Sequence, residues 1–301
     1  MHSAANGYCS NRFFSCPLSW VVTLLLTAVI FLSGCFPSHP QESLILHMLD
    51  VDQGDCFLIT TPEGINVLID GGDPSQGNRV VDYLRRQGVT TIHHLVATHP
   101  HADHIGGLPA VLEAFQVDQV YMPPVVHTSR LYLSLLDLIE KESVPLSFPE
   151  KQQVIHQESQ ITIQILATGI DYGTHLNNWS LPVHVTHGNQ SFLFTGDAEE
   201  EAERDLVSSI SPDLLDVTVL KAGHHGSHTS TTPLFLEAAS PEILLISCGK
   251  DNAYGHPGEE VLRRLNETGI HIYRTDLQGT VVLYSMDHQI RTYQAPSNLQ
   301  P

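Results

Sequence analysis

Ile92-His93-His94-Leu95-Val96-Ala97-Thr98, an apolar and β-branched run, passes directly into His99-Pro100-His101-Ala102-Asp103-His104-Ile105-Gly106-Gly107. The first half predicts a strand. The second half sets His99, His101, Asp103 and His104 on a loop at that strand's end, where the backbone can turn all four side chains inward. A solvated loop would be equally hydrophilic, but it would not need three histidines interleaved with an aspartate and closed by paired glycines. The stretch reads as a metal site built on a strand end, and the rest of the chain must supply its partners.

Two later strand ends offer them. The run Phe192 to Thr195 leads into Gly196-Asp197, and Val217 to Lys221 leads into Ala222-Gly223-His224-His225-Gly226-Ser227-His228. Taken alone, Asp197 is equally an N-cap, because Glu199 to Glu201 suit the first turn of a helix. Adjacent histidines cannot be ordered by sequence alone. Asp70 ends the run Ile65 to Asp70 just before Gly71-Gly72, so it is either a turn former or a group that orients the first motif.

Further strand-like runs are Leu44 to Val51, Cys56 to Thr61, Ile161 to Leu166, Ile243 to Ser247, Ile270 to Arg274 and Thr280 to Ser285. Helical spacing appears at Arg79 to Gln87, Leu131 to Glu142, Glu199 to Val207 and Glu259 to Glu267. Strands arrive in groups at each end with helices intercalated. The expected class is therefore α/β, an αββα four-layer sandwich of two mixed β-sheets flanked by helices. No repeat, low-complexity block or internal linker divides residues 44–295, which read as a single domain followed by a tail at 296–301.

The start of the chain is of another kind. Arg12 precedes an apolar run from Leu18 to Leu32 that no acidic residue interrupts, shorter than a comfortable membrane span. It ends in Leu32-Ser33-Gly34-Cys35, which resembles the lipobox of bacterial lipoproteins. That implies a lipoprotein signal peptide at 1–34, a lipid on Cys35, a tether at 35–43, and an exported protein anchored to the membrane rather than spanning it. An uncleaved anchor or ordinary secretory signal is the alternative. Cys56 and Cys248 lie in no metal or redox motif and are expected to be buried apolar residues, a disulfide between them being the other option. The formal charge of -19 disfavours nonspecific duplex DNA binding. Lys221, Lys250 and Arg274 are the few basic residues expected near the mouth of the site.

His99-x-His101-x-Asp103-His104 is the signature of the metallo-β-lactamase superfamily, and the chain is identified on it as a resembling member. The resemblance implies that His99 and His101 serve one metal, Asp103 and His104 a second, and Asp197 bridges them. His224-His225-Gly226-Ser227 is similar to an element of the ComEC-like branch in which a histidine completes the second metal. His225 is expected there, with His224 beside it meeting substrate. Leu49-Asp50-Val51-Asp52-Gln53-Gly54-Asp55, Tyr254-Gly255-His256-Pro257 and Tyr273-Arg274-Thr275-Asp276-Leu277-Gln278-Gly279-Thr280 resemble further elements of that branch. Asp52 stands where a glycine is usual. Asn177-Asn178-Trp179-Ser180 occupies the region where many members place a third histidine for the first metal, so Asn178 and Ser180 become supporting residues. His175, His184 and His187 are read as ordinary loop or strand residues, with that missing ligand as the alternative. A basic residue common in relatives near Tyr254-Gly255-His256-Pro257 is replaced by Ala253.

The resemblance implies a hydrolase in which two divalent ions activate a hydroxide, zinc first, with manganese or iron also suited to His and Asp donors. The expected catalytic residues are Asp103, His224 and His256, the last protonating a leaving group or positioning substrate, unless it caps the segment after Pro257. The expected substrate is a phosphodiester: a nucleotide, nucleic acid or envelope component. The competing readings are a lactam or acyl hydrolase of the same fold and a non-catalytic binding lipoprotein.

Overall fold

The structure is a computed structural model that describes residues 1–2, 43–266, 268–286 and 289–297. Residues 3–34 of the expected signal peptide, the lipid attachment at Cys35 and the tether as far as residue 42 lie outside the described residues. From residue 43 onward the chain belongs to one compact unit, Glu42–Pro301.

Two mixed sheets dominate the described residues. The first runs, edge to edge, Gln289–Arg291, Val281–Met286, Leu44–Met48, Phe57–Thr60, Asn66–Ile69, His94–Val96, Val120–Tyr121 and Leu146–Ser147. It is antiparallel up to the pair Phe57–Thr60 with Asn66–Ile69 and parallel beyond. The second runs His271–Arg274, Ile243–Ile246, Val219–Lys221, Gln190–Phe194, Val183–His187, Ile161–Leu166 and Gln152–Glu158, parallel over its first four strands and antiparallel thereafter.

Period-two alternation places the side chains. In Asn66–Ile69, Val67 and Ile69 face the second sheet, while Leu68 faces the outer helices. Both faces are covered, which is why Val67 to Ile69 read as an unbroken apolar run. The central layer packs Leu46, Met48, Phe57 and Ile59 against Ile163, Val185, Phe192 and Phe194. The Phe57 and Phe194 rings meet at 5.1 Å and 58°. Helices Gly77–Arg86, Leu108–Ala114 and Arg130–Lys141 bury Val80, Leu84, Val111, Leu135 and Ile139 against the first sheet. Helices Glu200–Ser209, Pro233–Ala239 and Glu259–Asn266 cover the second with Leu206, Phe235, Val261 and Leu265. The layers are thus αββα, as the strand grouping predicts. Because Phe194 is buried and leads towards Gly196-Asp197, Phe194→Ala should lower stability by about 3–5 kcal/mol, measurable by urea unfolding.

The run Ile92 to Thr98 differs from expectation: it splits into strands Thr91–Ile92 and His94–Val96, which belong to different sheets. Cys56 and Cys248 are both free and buried, so no disulfide joins them. Asp52 adopts φ 60, the left-handed region that a glycine at this position reaches without strain and that aspartate tolerates better than most residues. Gly54 is required for a different reason, since a Cβ there would run into the Asp103 carbonyl oxygen. The close approach lets Asp55 N donate to Asp103 O at 3.2 Å, which ties the first strand connection to the metal loop.

Candidate metal centre

Parallel strands in both sheets end at one rim, and their connecting loops meet there. Strand His94–Val96 delivers Thr98 to His104, Gln190–Phe194 delivers Asp197, Val219–Lys221 delivers His224 and His225, and Ile243–Ile246 delivers Ser247. Asp103 and His104 sit on the one-turn helix Ala102–Ile105, preceded by His101 in extended conformation. His224 and His225 are both left-handed, at φ 46 and 55. Such a conformation costs a non-glycine residue about 1–2 kcal/mol, and it aims both rings at Asp197.

Asp197 is buried and its Oδ2 is the focus of the site. His104 Nε2 lies 3.1 Å from it, His225 Nε2 3.4 Å, His224 Nε2 3.7 Å and His99 Nε2 3.8 Å. Asp103 Oδ2 is 3.3 Å from His225 Nε2, and His99 Nε2 is 3.0 Å from His101 Nδ1. One ligand atom from each of Asp103, His104, Asp197 and His225 falls within a sphere in which all are within 4.8 Å of one another. The geometry therefore brings His225 into this set, while His224 stands at its edge, its Nδ1 3.2 Å from Glu199 Oε1.

The other nitrogen of each inner ring is already committed. His104 Nδ1 is 2.7 Å from Asp70 Oδ2, and His225 Nδ1 donates to the Ser247 carbonyl at 2.9 Å. That leaves Nε2 of both rings buried without a hydrogen-bond partner, although both approach Asp197 Oδ2. Two buried imidazole nitrogens converging with two carboxylates is the arrangement a divalent cation satisfies. His99, whose Nε2 is 3.8 Å from Asp197 Oδ2, and His101 beside it lie next to this set. The donors are nitrogen and oxygen with no sulfur, a set suited to zinc, manganese or iron.

Electrostatics agree with this reading. Burial pulls the His104 and His225 pKa values down, but Asp197, aided by Asp70 and Asp55 respectively, outweighs it and holds both well above the ordinary value. Burial raises Asp197, yet His104, His225 and Lys221 hold it well below the carboxylate range. Asp103 is likewise lowered against burial, by His225 and His104. His99 is depressed by burial and by the His104 charge. These shifts favour anionic carboxylates beside protonated His104 and His225 when no metal is bound, and a cation would compete with those protons.

The supporting residues fall into place around these. Asp70, itself at φ 59, accepts from Thr98 N at 2.8 Å and Thr98 Oγ1 at 2.7 Å besides holding His104, so its side chain orients the motif. Ser180 Oγ accepts from Asp197 N at 2.9 Å and lies 3.4 Å from His99 Nδ1. Asn178 is one step removed: it accepts from Glu199 N and donates to Glu201, fixing the segment that follows Asp197. His184 and His187 lie on strand Val183–His187, hydrogen-bonded to Gln164 and Ser285. His175 lines a separate surface pocket with His228. None of the three lines the metal pocket, where Asn177 stands instead.

The basic residues require correction. Lys221 does not face the mouth: it is buried, 2.7 Å from Asp55 Oδ2 and 3.5 Å from Asp197 Oδ1, with its ammonium donating to Gly196 O. Arg274 is clamped by Asp276 through Nε at 3.0 Å and the guanidinium NH2 at 2.6 Å. Lys250 is exposed but does not line the pocket. The opening, about 340 Å³, is walled by Gln53, Asn177, His224, Tyr254 and His256 above Asp103 and Asp197. Tyr254 stacks on His256 at 5.8 Å and 16°. Sequence reasoning passes over Asp55, although it ends one of the branch-like elements. A lysine closing an otherwise apolar buried strand is the available signal that an acidic partner exists.

Residues 49–250 match the family profile described as Metallo-beta-lactamase superfamily. ComE operon protein 3 of Bacillus subtilis (strain 168) is 29% identical over 88% of this chain and 36% of its own length. Competence protein ComA of Neisseria gonorrhoeae is 29% identical over 84% of this chain and 35% of its own. The chain thus spans about a third of the length of these curated relatives. Among solved structures, CmlA, a diiron beta-hydroxylase from Streptomyces venezuelae, superposes with a TM-score of 0.54 at 14% identity, covering 81% of this chain and 54% of that one. At that identity the likeness is one of fold.

Proposed function

Because the chain belongs to the metallo-beta-lactamase superfamily, with competence-protein relatives that place it in the ComEC-like branch, we propose that it is a two-metal hydrolase of phosphodiesters. The observation that carries this reading is the pair of unsatisfied, buried Nε2 atoms of His104 and His225 facing Asp103 and Asp197 at the floor of an open pocket. His99, His101 and Asp197 would hold one ion, and Asp103, His104, Asp197 and His225 the other. Bound there, a divalent pair, zinc first and manganese or iron next, supplies Lewis-acid charge and lowers the pKa of water.

The protein's own residues do the rest. Asp70 and Ser247 fix the two inner imidazoles so that Nε2, not Nδ1, faces the site. His224, about a quarter exposed and tethered to Glu199, presents its ring to whatever enters above Asp197. Gln53 and Asn177 supply neutral amides at the mouth, and Tyr254 with His256 a stacked wall. A mouth without lysine or arginine among its lining residues suits a singly charged diester better than a doubly charged monoester or duplex DNA. Export and a lipid on Cys35 are part of the same proposal. No helix among the described residues is long and apolar enough to cross a membrane.

His256 refines the expected proton chemistry. Burial, reinforced by His224 and His225, lowers its pKa to about 4, so it is neutral near pH 7 and would position substrate rather than protonate a leaving group from its cationic form. His256→Gln should therefore reduce kcat about ten-fold while the pH–rate profile keeps its wild-type shape between about pH 6 and 8. A lost limb in that range would assign His256 the acid role instead. The reaction class is tested by comparing bis(p-nitrophenyl) phosphate, p-nitrophenyl phosphate and a chromogenic cephalosporin on protein reconstituted with zinc or manganese. Diester turnover well above the other two is expected; a preference for the lactam would replace this reading with acyl hydrolysis.

A further inference from the structure

Lys221 is a cation buried next to a site that binds cations, which makes its position a question of function. Its ammonium is 0% exposed at the side chain and sits 2.7 Å from Asp55 Oδ2, 2.5 Å from the Gly196 carbonyl and 3.5 Å from Asp197 Oδ1. Asp55 comes from the first sheet's leading connection, and Gly196-Asp197 and Lys221 come from the second sheet. The ammonium therefore joins the two sheets directly behind the metal loops. Asp55 also leans on His225, its Oδ1 3.4 Å from Nδ1.

The two oxygens of Asp197 are treated differently. Oδ2 faces the Nε2 atoms of His99, His104, His224 and His225, all within 3.8 Å. Oδ1 faces Lys221. A carboxylate free to rotate would offer either oxygen, or both, to a single ion.

We propose that Lys221 is a positioning residue that claims Asp197 Oδ1 and so leaves Oδ2 as the single oxygen shared between the two metal positions. This rests on the two-metal reading above. The ammonium needs to supply no proton and bind no substrate. It holds the turn Gly196-Asp197 through one carbonyl and one carboxylate oxygen, while Asp55 balances its charge. Two ions that shared Asp197 Oδ2 would lie close enough to couple magnetically, which gives the proposal a signature that activity does not.

The test uses chelator-treated full chain titrated with manganese(II) alone, read by metal content and electron paramagnetic resonance. Wild type should take up two ions that give an exchange-coupled signal. Lys221→Met should bind its second manganese at least about ten-fold more weakly and show uncoupled ions. Because Lys221→Met strands the buried Asp55 carboxylate, the double variant Lys221→Met with Asp55→Asn removes both charges, and its thermal unfolding reports whether it is folded. Loss of coupling in the folded double variant, with coupling kept in an Asp55→Asn single variant, supports the proposal; loss in the Asp55→Asn variant as well assigns the effect to the Asp55 contact with His225 and overturns it. Retention of a coupled pair with wild-type affinity in the double variant overturns it and leaves the two-metal reading standing. A wild-type chain that binds fewer than two ions would sink the two-metal reading itself.

Discussion

Asp197→Asn should lower kcat/KM for bis(p-nitrophenyl) phosphate by on the order of a thousand-fold or more, equivalent to about 4 kcal/mol of transition-state stabilisation. The substitution keeps the shape of a side chain that is buried within 3.8 Å of four imidazoles, so the fold has little reason to change. What it removes is the charge that the two proposed metal positions would share. The asparagine would present either a weak neutral oxygen or an NH2 group to the cluster, and both metals would be held less tightly. His104 and His225, whose raised pKa values depend first on Asp197 once burial is set aside, would lose much of their attraction for any cation. Paired measurements of turnover and of bound metal check this. A variant that loses activity while retaining two tightly bound ions would mean that Asp197 is not the shared ligand.

The largest effect on stability is expected at Asp55. Asp55→Asn leaves Lys221 buried at 1% exposure with its nearest counter-charge, Asp197, at 3.5 Å. Breaking a buried ion pair from one side costs about 3–5 kcal/mol, because the remaining charge is unsolvated and here keeps only the more distant Asp197 and the Gly196 carbonyl. For a domain of this size each kcal/mol is worth roughly 2–4 °C, so Tm should fall by about 6–20 °C. Adding Lys221→Met should recover much of that loss, since a neutral pair has no stranded charge to desolvate. Thermal unfolding of the metal-free proteins reads both numbers. Equal losses in the single and double variants would show that Asp55 acts through its contacts with His225 rather than through the lysine.

The parts of the molecule legible in the sequence are those whose signal is local. Strand Ile161–Leu166 is delimited to the residue because it lies between turn residues and alternates cleanly, and helix Arg130–Lys141 differs by one residue at each end. Helices Leu108–Ala114 and Pro233–Ala239 escape, because each spans only two turns and carries in its first turn a proline that also reads as a turn. Strands Val120–Tyr121 and Leu146–Ser147 are two residues long and owe their existence to pairing across the sheet, which no local pattern records. The ligand-bearing loops are visible because His99 to His104 and His224-His225 each concentrate their donors in a few residues. Their order in space is not, since only the left-handed backbone at both histidines directs His225 inward and His224 to the rim.

The same distinction explains the misreading of Lys221. From the chain alone it is a lysine beside a histidine loop, and is expected near the mouth of the site. The acid that neutralises it, Asp55, lies far upstream, and a close approach allowed by Gly54 brings it there. Asp70 is legible as a neighbour of the motif because it too ends a strand, although its bonds to Thr98 and His104 are long-range contacts.

The central claim, a dinuclear hydrolase, is tested most directly by titrating chelator-treated protein with zinc or manganese while following bis(p-nitrophenyl) phosphate turnover and bound metal in the same samples. Turnover that is absent without metal and saturates as the second equivalent binds is the result predicted here. Two ions bound with no turnover, or full turnover with one, would contradict it.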